Sequence, residues 1–552
     1  MYCRRSTIFP CRELSPEPLA ARSASQPERA VMLRHRQLLD EEITYSVAKD
    51  RECNILHQLT YPEQKSQYFS LLESHSDWIR AIVAYHLNLP VNACRVADSE
   101  DWLSGTFNVC IPVTVSGLNS TLQPGNRVLV RFPLPYRIGE YSNPGNSDEK
   151  VRCEAGTYAW LEANCPDIPI PRLYGFGMGT GETFTRIERL PFMSRWIECF
   201  RRTVLLFLRY PDRSRYVRRQ YRPGKEDLKL PYLLIEYIEE SRGRMLSSTW
   251  NFRPHNTQLR TNLFRDLCKI YLSLARVPLS KIGSFIIDDN GFLQLNNRPL
   301  SIQIQELENE NIPVDIQRNC TYSTVDTYVS DILSLHDSRL LYQPNAINDS
   351  SDFLYQASCL ATMRTVFHSF FNRRFRHGPF IFSLTDLHPS NILVDEDWHI
   401  TSLVDLEYAC SLPIEMIHPP HWFTTLAVDR IVPEEYNQQR LEFMTILTAE
   451  ECCYSPGKGE LGLSSIMGTA WKKGTFWYSL ALTTPSGLFT IFRNHIKPCF
   501  IAHRPEDDNP EEVDHSLEFM PWYWARNLAA IYRRKLADKR EYDDQLRREF
   551  EG

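Results

Sequence analysis

Three polar residues in the C-terminal half of the chain have the types and the spacing that phosphoryl transfer requires. Asp386 is followed five residues later by Asn391, and Asp405 comes fourteen residues after Asn391. Transfer of a phosphoryl group from a nucleotide needs an acidic group to orient the acceptor hydroxyl, and oxygen ligands to hold Mg²⁺ on the phosphates. These three side chains have the chemistry for those tasks.

The segment between Asn391 and Asp405 predicts the element that brings the two residues together. Two apolar runs, Ile392 to Val394 and Ile400 to Val404, flank an acidic turn, a pattern typical of a short β-hairpin. Because a hairpin returns its ends to neighbouring positions, both residues are expected at one metal site, with Asp386 projecting from the preceding loop. An ordinary acidic surface turn is the alternative, since the Asp and Asn spacing alone recurs by chance.

The stretch from Asp386 to Glu407, with its motifs DLHPSNILVD and VDLE, closely resembles the catalytic and metal-binding segments of the aminoglycoside phosphotransferase family. It is most similar to the large fungal branch of that family. By motif position, Asp386 matches the catalytic aspartate, whereas Asn391 and Asp405 match the metal-binding residues. One departure is Leu384, which stands where the family usually has a loop-bracing His.

The resemblance implies a fold, two cosubstrates and a reaction. The fold is α+β and bilobal like that of protein kinases, with a β-rich N-lobe and a mainly helical C-lobe. ATP and Mg²⁺ are the implied cofactors, and the implied reaction moves the γ-phosphoryl group to a hydroxyl of a small molecule. A kinase-like module that binds nucleotide without catalysis is the alternative, because Leu384 and Arg131 depart from the usual pattern. A protein kinase is less favoured, since no DFG-to-APE segment follows Asp405.

Residues around these motifs are expected to support the site. Glu407 is predicted to brace the metal ligands from behind, and His388 to support the catalytic loop. The segment after Asp405 would lie along an acceptor pocket, although a Pro-rich loop packed on the large lobe is an equal alternative. Its candidates for acceptor contacts are Glu415, His418, His421 and Trp422.

Upstream strands supply the predicted nucleotide site. FNVCIPVTV and NRVLVRFPLP predict two strands, and Gly105 precedes the first, where a kinase-type fold covers the phosphates. Arg131 lies on the second strand, where such folds have Lys, and Glu154 in the predicted helix Val151 to Asn164 is placed to pair with it. A plain β-turn and a solvated arginine are the alternatives.

The apolar strand Leu230 to Glu239 is predicted to be the hinge between the lobes. Backbone groups near Glu236 and Ile238 are expected to bond an adenine edge, and a plain buried strand is the alternative. Before it, Arg186 to Lys225 mixes many arginines with aromatic residues. A basic amphipathic helix can mark a membrane surface or a nucleic-acid contact, but the acidity of the whole chain favours an insertion with solvated or paired arginines.

Composition restricts the partners. The chain has 552 residues, 43% of them hydrophobic, a net charge of -6 and a pI near 6.2, so neither nucleic acid nor a membrane is an expected partner. No apolar run approaches the ~20 residues that span a bilayer. Fifteen scattered cysteines indicate reduced thiols in a cytoplasmic protein, with a mitochondrial location less favoured.

The sequence also suggests domain boundaries. The acceptor and the oligomeric state are not readable from it. The predicted parts are a disordered tail over residues 1–30, a helical extension over 31–100, the N-lobe with its basic insertion over 101–239, the C-lobe over 240–500 and a charged C-terminal helix over 501–552.

Overall fold

A computed structural model describes residues 34–116, 126–208, 213–220, 228–252, 256–454, 462–485, 487–501 and 516–551. The predicted tail over residues 1–30 lies outside the described residues. Helices and sheets are mixed, and the strand pairs of the described ranges are antiparallel, which confirms the predicted α+β class. None of the helices in these ranges is both long enough and apolar enough to cross a membrane.

The first part of the described chain is mainly helical, as its apolar spacing predicts. Asn88 ends the fourth helix in the left-handed conformation, with φ 56°, which Asn tolerates better than most residues. The elements are β1 (Arg36–Gln37), β2 (Glu42–Ile43), α1 (Tyr45–Asp50), α2 (Ile55–Gln58), α3 (Tyr61–Ser74) and α4 (Ser76–Leu87).

A large sheet follows, and two helices lie between its strands in the order of the chain: α5 between β6 and β7, and α6 between β8 and β9. The elements are β3 (Cys94–Val96), β4 (Leu103–Ser104), β5 (Asn108–Val115), β6 (Arg127–Pro133), α5 (Asn146–Asn164), β7 (Leu173–Gly177), β8 (Glu182–Arg186), α6 (Phe192–Phe207), β9 (Tyr216–Gln220) and β10 (Tyr232–Glu236). The strand order is β3-β5-β6-β10-β7-β8-β9, and β4 pairs with β5.

The two strands β5 and β6 bury side chains on both faces of this sheet. Val109 and Val130 pack with the apolar residues of α4 on one face, whereas Cys110 and Leu129 pack with those of α5 on the other. Because successive side chains of a strand point to opposite faces, Arg131 lies on the same face as Leu129. The strand register therefore directs this arginine toward α5.

The predicted helix Val151 to Asn164 is confirmed as α5, which ends at Asn164 and begins at Asn146, five residues earlier than predicted. Gly145 precedes it with φ 94°, and Asp148 and Glu149 occupy the first turn, where carboxylates are favourable to the helix dipole. The polar first turn is buried because its charges are paired. Glu149, for example, binds the buried Arg298 guanidinium with an Oε2 to Nη2 distance of 2.7 Å.

The remaining chain is mainly helical, with short antiparallel pairs. Its first elements are β11 (Arg244–Met245), α7 (Ser247–Trp250), α8 (Thr257–Ala275), β12 (Ser284–Ile287), β13 (Leu293–Asn297), α9 (Ile302–Asn309), α10 (Val325–Tyr342), α11 (Ser350–Phe370), β14 (Phe380–Ser383), β15 (Ile392–Val394), β16 (Ile400–Leu403) and β17 (Cys410–Pro413). The pair β15 and β16 is the hairpin predicted between Asn391 and Asp405.

Helices complete the described chain. They are α12 (Pro433–Tyr454), α13 (Leu463–Lys473), α14 (Thr475–Thr483), α15 (Leu488–Ile491), α16 (Pro498–Ile501), α17 (Ser516–Trp524) and α18 (Leu528–Glu551). The pattern from Leu463 to Ala481 predicts one helix, but Gly474, with φ 78°, separates two.

The C-terminal helix α18 is predicted to be solvated, and one of its faces is instead buried. Tyr542, Leu546 and Phe550 pack with apolar residues of the first described segment, including Ile43 and Ile55. The Tyr542 hydroxyl accepts the Ile55 backbone N–H at 3.0 Å. The ends of the described chain are therefore packed against each other.

Candidate active site

A cleft with about 730 Å³ of space, partly open to solvent, lies where the β4–β5 turn, the strands β6 and β10, and the β15–β16 hairpin meet. Most of the predicted site residues line it, from segments far apart in the sequence. Those in the cleft wall are Gly105, Arg131, Glu236, Asp386, Asn391, Asp405 and Glu407. The structure thus brings the predicted catalytic, metal and phosphate groups to one place.

The hairpin positions Asn391 beside the catalytic loop. The Asn391 backbone carbonyl accepts the Val404 N–H at 2.9 Å. This bond brings Asp405, the residue after Val404, to the same end of the hairpin as Asn391. The Asn391 side-chain amide donates to the Asp386 carbonyl at 2.8 Å and to the Asp386 carboxylate Oδ2 at 3.1 Å. Because the amide nitrogen is used to hold Asp386, the amide oxygen is the atom left for a cation.

The catalytic loop is held without the His that Leu384 replaces. The Trp422 indole donates to the Leu387 carbonyl at 2.8 Å, and the Thr385 hydroxyl donates to the Tyr408 carbonyl at 2.7 Å. Leu384 itself packs against the apolar core. One hydrogen bond to a neighbouring segment therefore holds the loop on each side of Asp386.

Asp405 has an uncommon backbone conformation, with φ 59°. Non-glycine residues rarely adopt this left-handed region, and Asp is among those that tolerate it. The conformation follows the last residues of the hairpin, and the Asp405 carboxylate contacts the Arg131 guanidinium. Backbone strain of this kind clusters at functional sites.

Arg131 is the centre of a buried ion cluster. Its Nη1 lies 3.0 Å from Glu154 Oε1, the pair that the sequence predicts, and its Nη2 lies 2.8 Å from Glu407 Oε2. Burial disfavours the charged guanidinium, but Asp405, Glu154 and Glu407 more than compensate and hold the pKa of Arg131 above its ordinary value. The several donors of a guanidinium allow one side chain to meet three carboxylates.

Two residues that the sequence reasoning missed complete the cluster. Lys150, one turn before Glu154 on α5, is buried and contacts the Glu407 carboxylate, and Asn108 donates to Glu407 Oε2 at 2.8 Å. Burial works against ionisation, but Lys150 and Arg131 together lower the pKa of Glu407. The spacing of four between Lys150 and Glu154 was a usable signal, because residues four apart share a helix face.

Acidic side chains outnumber basic ones in and directly behind the cleft. Glu154, Asp405 and Glu407 contact Arg131 or Lys150, whereas Asp386, in the cleft wall, has no ion pair among the described residues. Burial, together with the charges of the neighbouring acids, raises the pKa of Asp386 well above its ordinary value, and burial also raises the pKa of Asp405. A divalent cation would relieve this imbalance.

The donor set fits a hard cation. The Asn391 amide oxygen and the Asp405 carboxylate are oxygen ligands of the type that Mg²⁺ prefers, usually one or two protein ligands with phosphates and waters. Within the described ranges, no group of three or more His, Cys, Asp or Glu side chains has the arrangement of a metal site. The candidate site thus rests on two protein ligands.

Of the two residues predicted for the hinge, one lines the cleft and the other does not. Glu236 lines the cleft, and its carboxylate is held by the Arg172 backbone N–H at 3.0 Å and by Arg242 Nη1 at 2.6 Å. Ile238 is buried and is not part of the cleft wall. The apolar part of the wall comes instead from residues such as Leu129, Ile235 and Met245.

The residues predicted around the site have structural contacts. The side chain of His388 lies with its Nδ1 3.1 Å from Ser390 Oγ, and burial lowers the pKa of His388 to about 4. Glu415 accepts the Asn372 backbone N–H at 3.0 Å. Neither these two residues nor the other acceptor candidates, His418, His421 and Trp422, belong to the cleft wall.

Similarity to this chain is found among solved structures. No protein-family profile matches the sequence, and no curated protein matches it. A macrolide 2'-phosphotransferase type I is similar over 74% of this chain and 94% of its own, with 12% sequence identity and a TM-score of 0.26.

We expect Lys150→Met to destabilise the protein by about 3–5 kcal/mol, because breaking a buried ion pair leaves the partner charge, here that of Glu407, partly uncompensated. The matched control is Lys269→Met, which removes a partly exposed, 3.6 Å ion pair with Asp266 and should cost at most about 1 kcal/mol. Urea unfolding of both variants measures the difference. Equal free energies of unfolding would contradict the buried pair.

A second prediction concerns pH. Burial, opposed by Arg131, raises the pKa of Glu154 from 4.5 to about 7. A carboxyl whose folded pKa is raised contributes stability that is complete below its unfolded pKa and is lost as pH rises through the folded pKa. Relative to Glu154→Gln, the wild type should therefore lose stability between about pH 5 and pH 8.

The measurement is the free energy of unfolding of both proteins across that range. A difference between wild type and variant that stays constant with pH would refute the raised pKa.

Proposed function

We propose that this protein is an ATP- and Mg²⁺-dependent phosphotransferase that moves the γ-phosphoryl group to a hydroxyl of a small molecule. The bilobal, kinase-like arrangement of the aminoglycoside phosphotransferases is part of the proposal. The observation that carries it is the convergence of Asp386, Asn391 and Asp405 on one cleft, with a buried arginine and its glutamate partner behind them.

Asp386 is proposed to act on the acceptor. Its carboxylate lines the cleft and is oriented by the Asn391 amide at 3.1 Å. Burial and the neighbouring acids raise the pKa of Asp386, so its carboxylate holds a proton more strongly than an ordinary aspartate does. Asp386 therefore both positions the hydroxyl and receives its proton.

The other polar groups are proposed to hold the nucleotide phosphates. Asn391 and Asp405 would hold Mg²⁺, which neutralises phosphate charge when bound. Arg131 lines the cleft and would supply positive charge beside the phosphates while its Nη1 and Nη2 hold the carboxylates around it. The β4–β5 turn at Gly105, whose N–H donates to the Asn108 carbonyl at 2.9 Å, closes the same side of the cleft.

The apolar wall is proposed to take the nucleotide base. Leu129 and Ile235 come from the paired strands β6 and β10, and Met245 comes from β11. A planar base needs apolar contact on its faces and a few polar groups at its edge. Glu236, at the end of β10, lies within the predicted hinge and lines the cleft.

A second candidate function is nucleotide binding without catalysis. The specific observation in its favour is the contact of Arg131 with Asp405, since a metal ligand already paired with an arginine must be released, or shared, when a cation binds. Both functions would use the same cleft, but only the phosphotransferase would consume ATP. Asp386 separates them, because it has a role only in transfer.

We expect ATP with Mg²⁺ to stabilise the wild type, by about 2.7 kcal/mol at 100 times its Kd, and to stabilise Asp405→Ala much less. The reason is that Asp405 is one of only two proposed protein ligands for the cation. Thermal unfolding with ATP, with and without Mg²⁺, measures this.

Asp397→Ala is the matched control, because it removes an exposed aspartate from the turn of the same hairpin. A shift of equal size in the wild type and in Asp405→Ala would exclude the proposed metal site.

Asp386→Asn should retain the ATP-dependent shift and lose turnover by a factor of about 10² to 10⁴, the usual contribution of a general base. ATP consumption with a panel of small alcohols and sugars measures turnover. Wild-type binding without turnover on any acceptor or protein substrate would favour the binding module. An undiminished rate in Asp386→Asn would remove this residue from the mechanism.

A further inference from the structure

Helix α6 exposes an unusually apolar surface. Six large apolar side chains on it are between 63% and 87% exposed: Phe192, Met193, Trp196, Ile197, Phe200 and Phe207. At 3.6 residues per turn, these positions fall on one side of the helix and form a continuous stripe. Single exposed apolar residues are ordinary, but a contiguous patch of this kind marks a binding surface.

The polar side of the helix holds it to the protein. Glu198 is buried and lies 2.8 Å from Arg213 Nη1 and 3.4 Å from Arg202 Nε. The Arg202 guanidinium also donates to the Ser214 carbonyl at 2.5 Å. A surface helix ordinarily buries its apolar stripe, so α6 is oriented the opposite way, and its polar anchors direct the stripe outward.

Positive charge surrounds the stripe. Arg195 and Arg201 are exposed, fall on opposite margins of the stripe at helical spacing and have no acidic partner among the described residues. The segment of residues 186–225 contains twelve Arg or Lys and three Asp or Glu, although the whole chain has a net charge of -6. The local charge is therefore opposite in sign to that of the protein.

We propose that α6 binds the surface of an anionic lipid bilayer, with its axis in the plane of the membrane. A helix with Trp and Phe on one face and arginines beside them buries the apolar face at the headgroup boundary, and its arginines meet lipid phosphates. Charge complementarity favours this occupant over a second copy of the chain, which would bring the same arginines together. The expectation of no membrane partner followed from the net charge of the whole chain. That total does not reveal the local excess of positive charge in residues 186–225.

Co-sedimentation of the full chain with vesicles tests the proposal. We expect binding to vesicles of phosphatidylcholine with phosphatidylserine, weaker binding to phosphatidylcholine alone, and a decline as salt is raised. Replacing Trp196 and Phe200 together by Ser should weaken binding by about tenfold or more, because each buries a large apolar area in the membrane. Replacing Arg195 and Arg201 by Glu should abolish the preference for the anionic lipid.

Phe252→Ser is the matched control, because Phe252 is 84% exposed and lies outside α6. It should bind as the wild type does, and unchanged thermal unfolding of all variants would show that they fold. No sedimentation of the wild type with either vesicle, or an equal loss in Phe252→Ser, overturns the proposal. Concentration-dependent self-association that the Trp196 and Phe200 substitutions abolish, without vesicle binding, would assign the stripe to a protein interface and also overturn it.

Discussion

The buried guanidinium of Arg131 is the interaction on which the candidate site depends. It connects strand β6 with Glu154 of α5 and with Glu407, which follows the hairpin. A buried charge is tolerated only when it is paired, and removing one partner leaves the other uncompensated. The sheet, the helix and the hairpin are therefore held in one relative position by a small set of ion pairs, and the cleft is the space between them.

That cluster is not electrically balanced, and the imbalance is informative. The charge of Glu407 is well compensated, because Arg131 and Lys150 form ion pairs with it and Asn108 donates a hydrogen bond to it. Among the described residues, Asp386 has the amide of Asn391 as its one polar side-chain partner, and burial together with the neighbouring acids raises its pKa. Acids with perturbed pKa values are frequent in functional clefts, and this is the basis on which Asp386 is proposed to receive the acceptor proton.

The parts of the site that the sequence predicted came from two sources. The hairpin followed from two apolar runs around an acidic turn, whereas the Arg131 and Glu154 pair followed from the resemblance to kinase-like folds, which pair a strand lysine with a helix glutamate. Lys150 and Asn108 were missed because their partner, Glu407, lies 257 and 299 residues away, and for Lys150 only its spacing of four from Glu154 could be read from the sequence. Trp422 was one of the candidates for acceptor contacts, with packing on the large lobe as an equal alternative, and its indole donates to the Leu387 carbonyl beside Asp386.

Helix α6 shows a different limit of sequence reasoning. The pattern predicts an amphipathic basic helix, but not which face meets the protein, because that depends on the tertiary anchor between Glu198 and Arg213. The helix joins β8 to the edge strand β9, and β9 lies four strands from β6 in the sheet, about 19 Å at the usual strand spacing. Substitutions on the apolar stripe are therefore separated from the cleft by most of the sheet's width, so membrane binding and phosphoryl transfer can be tested independently.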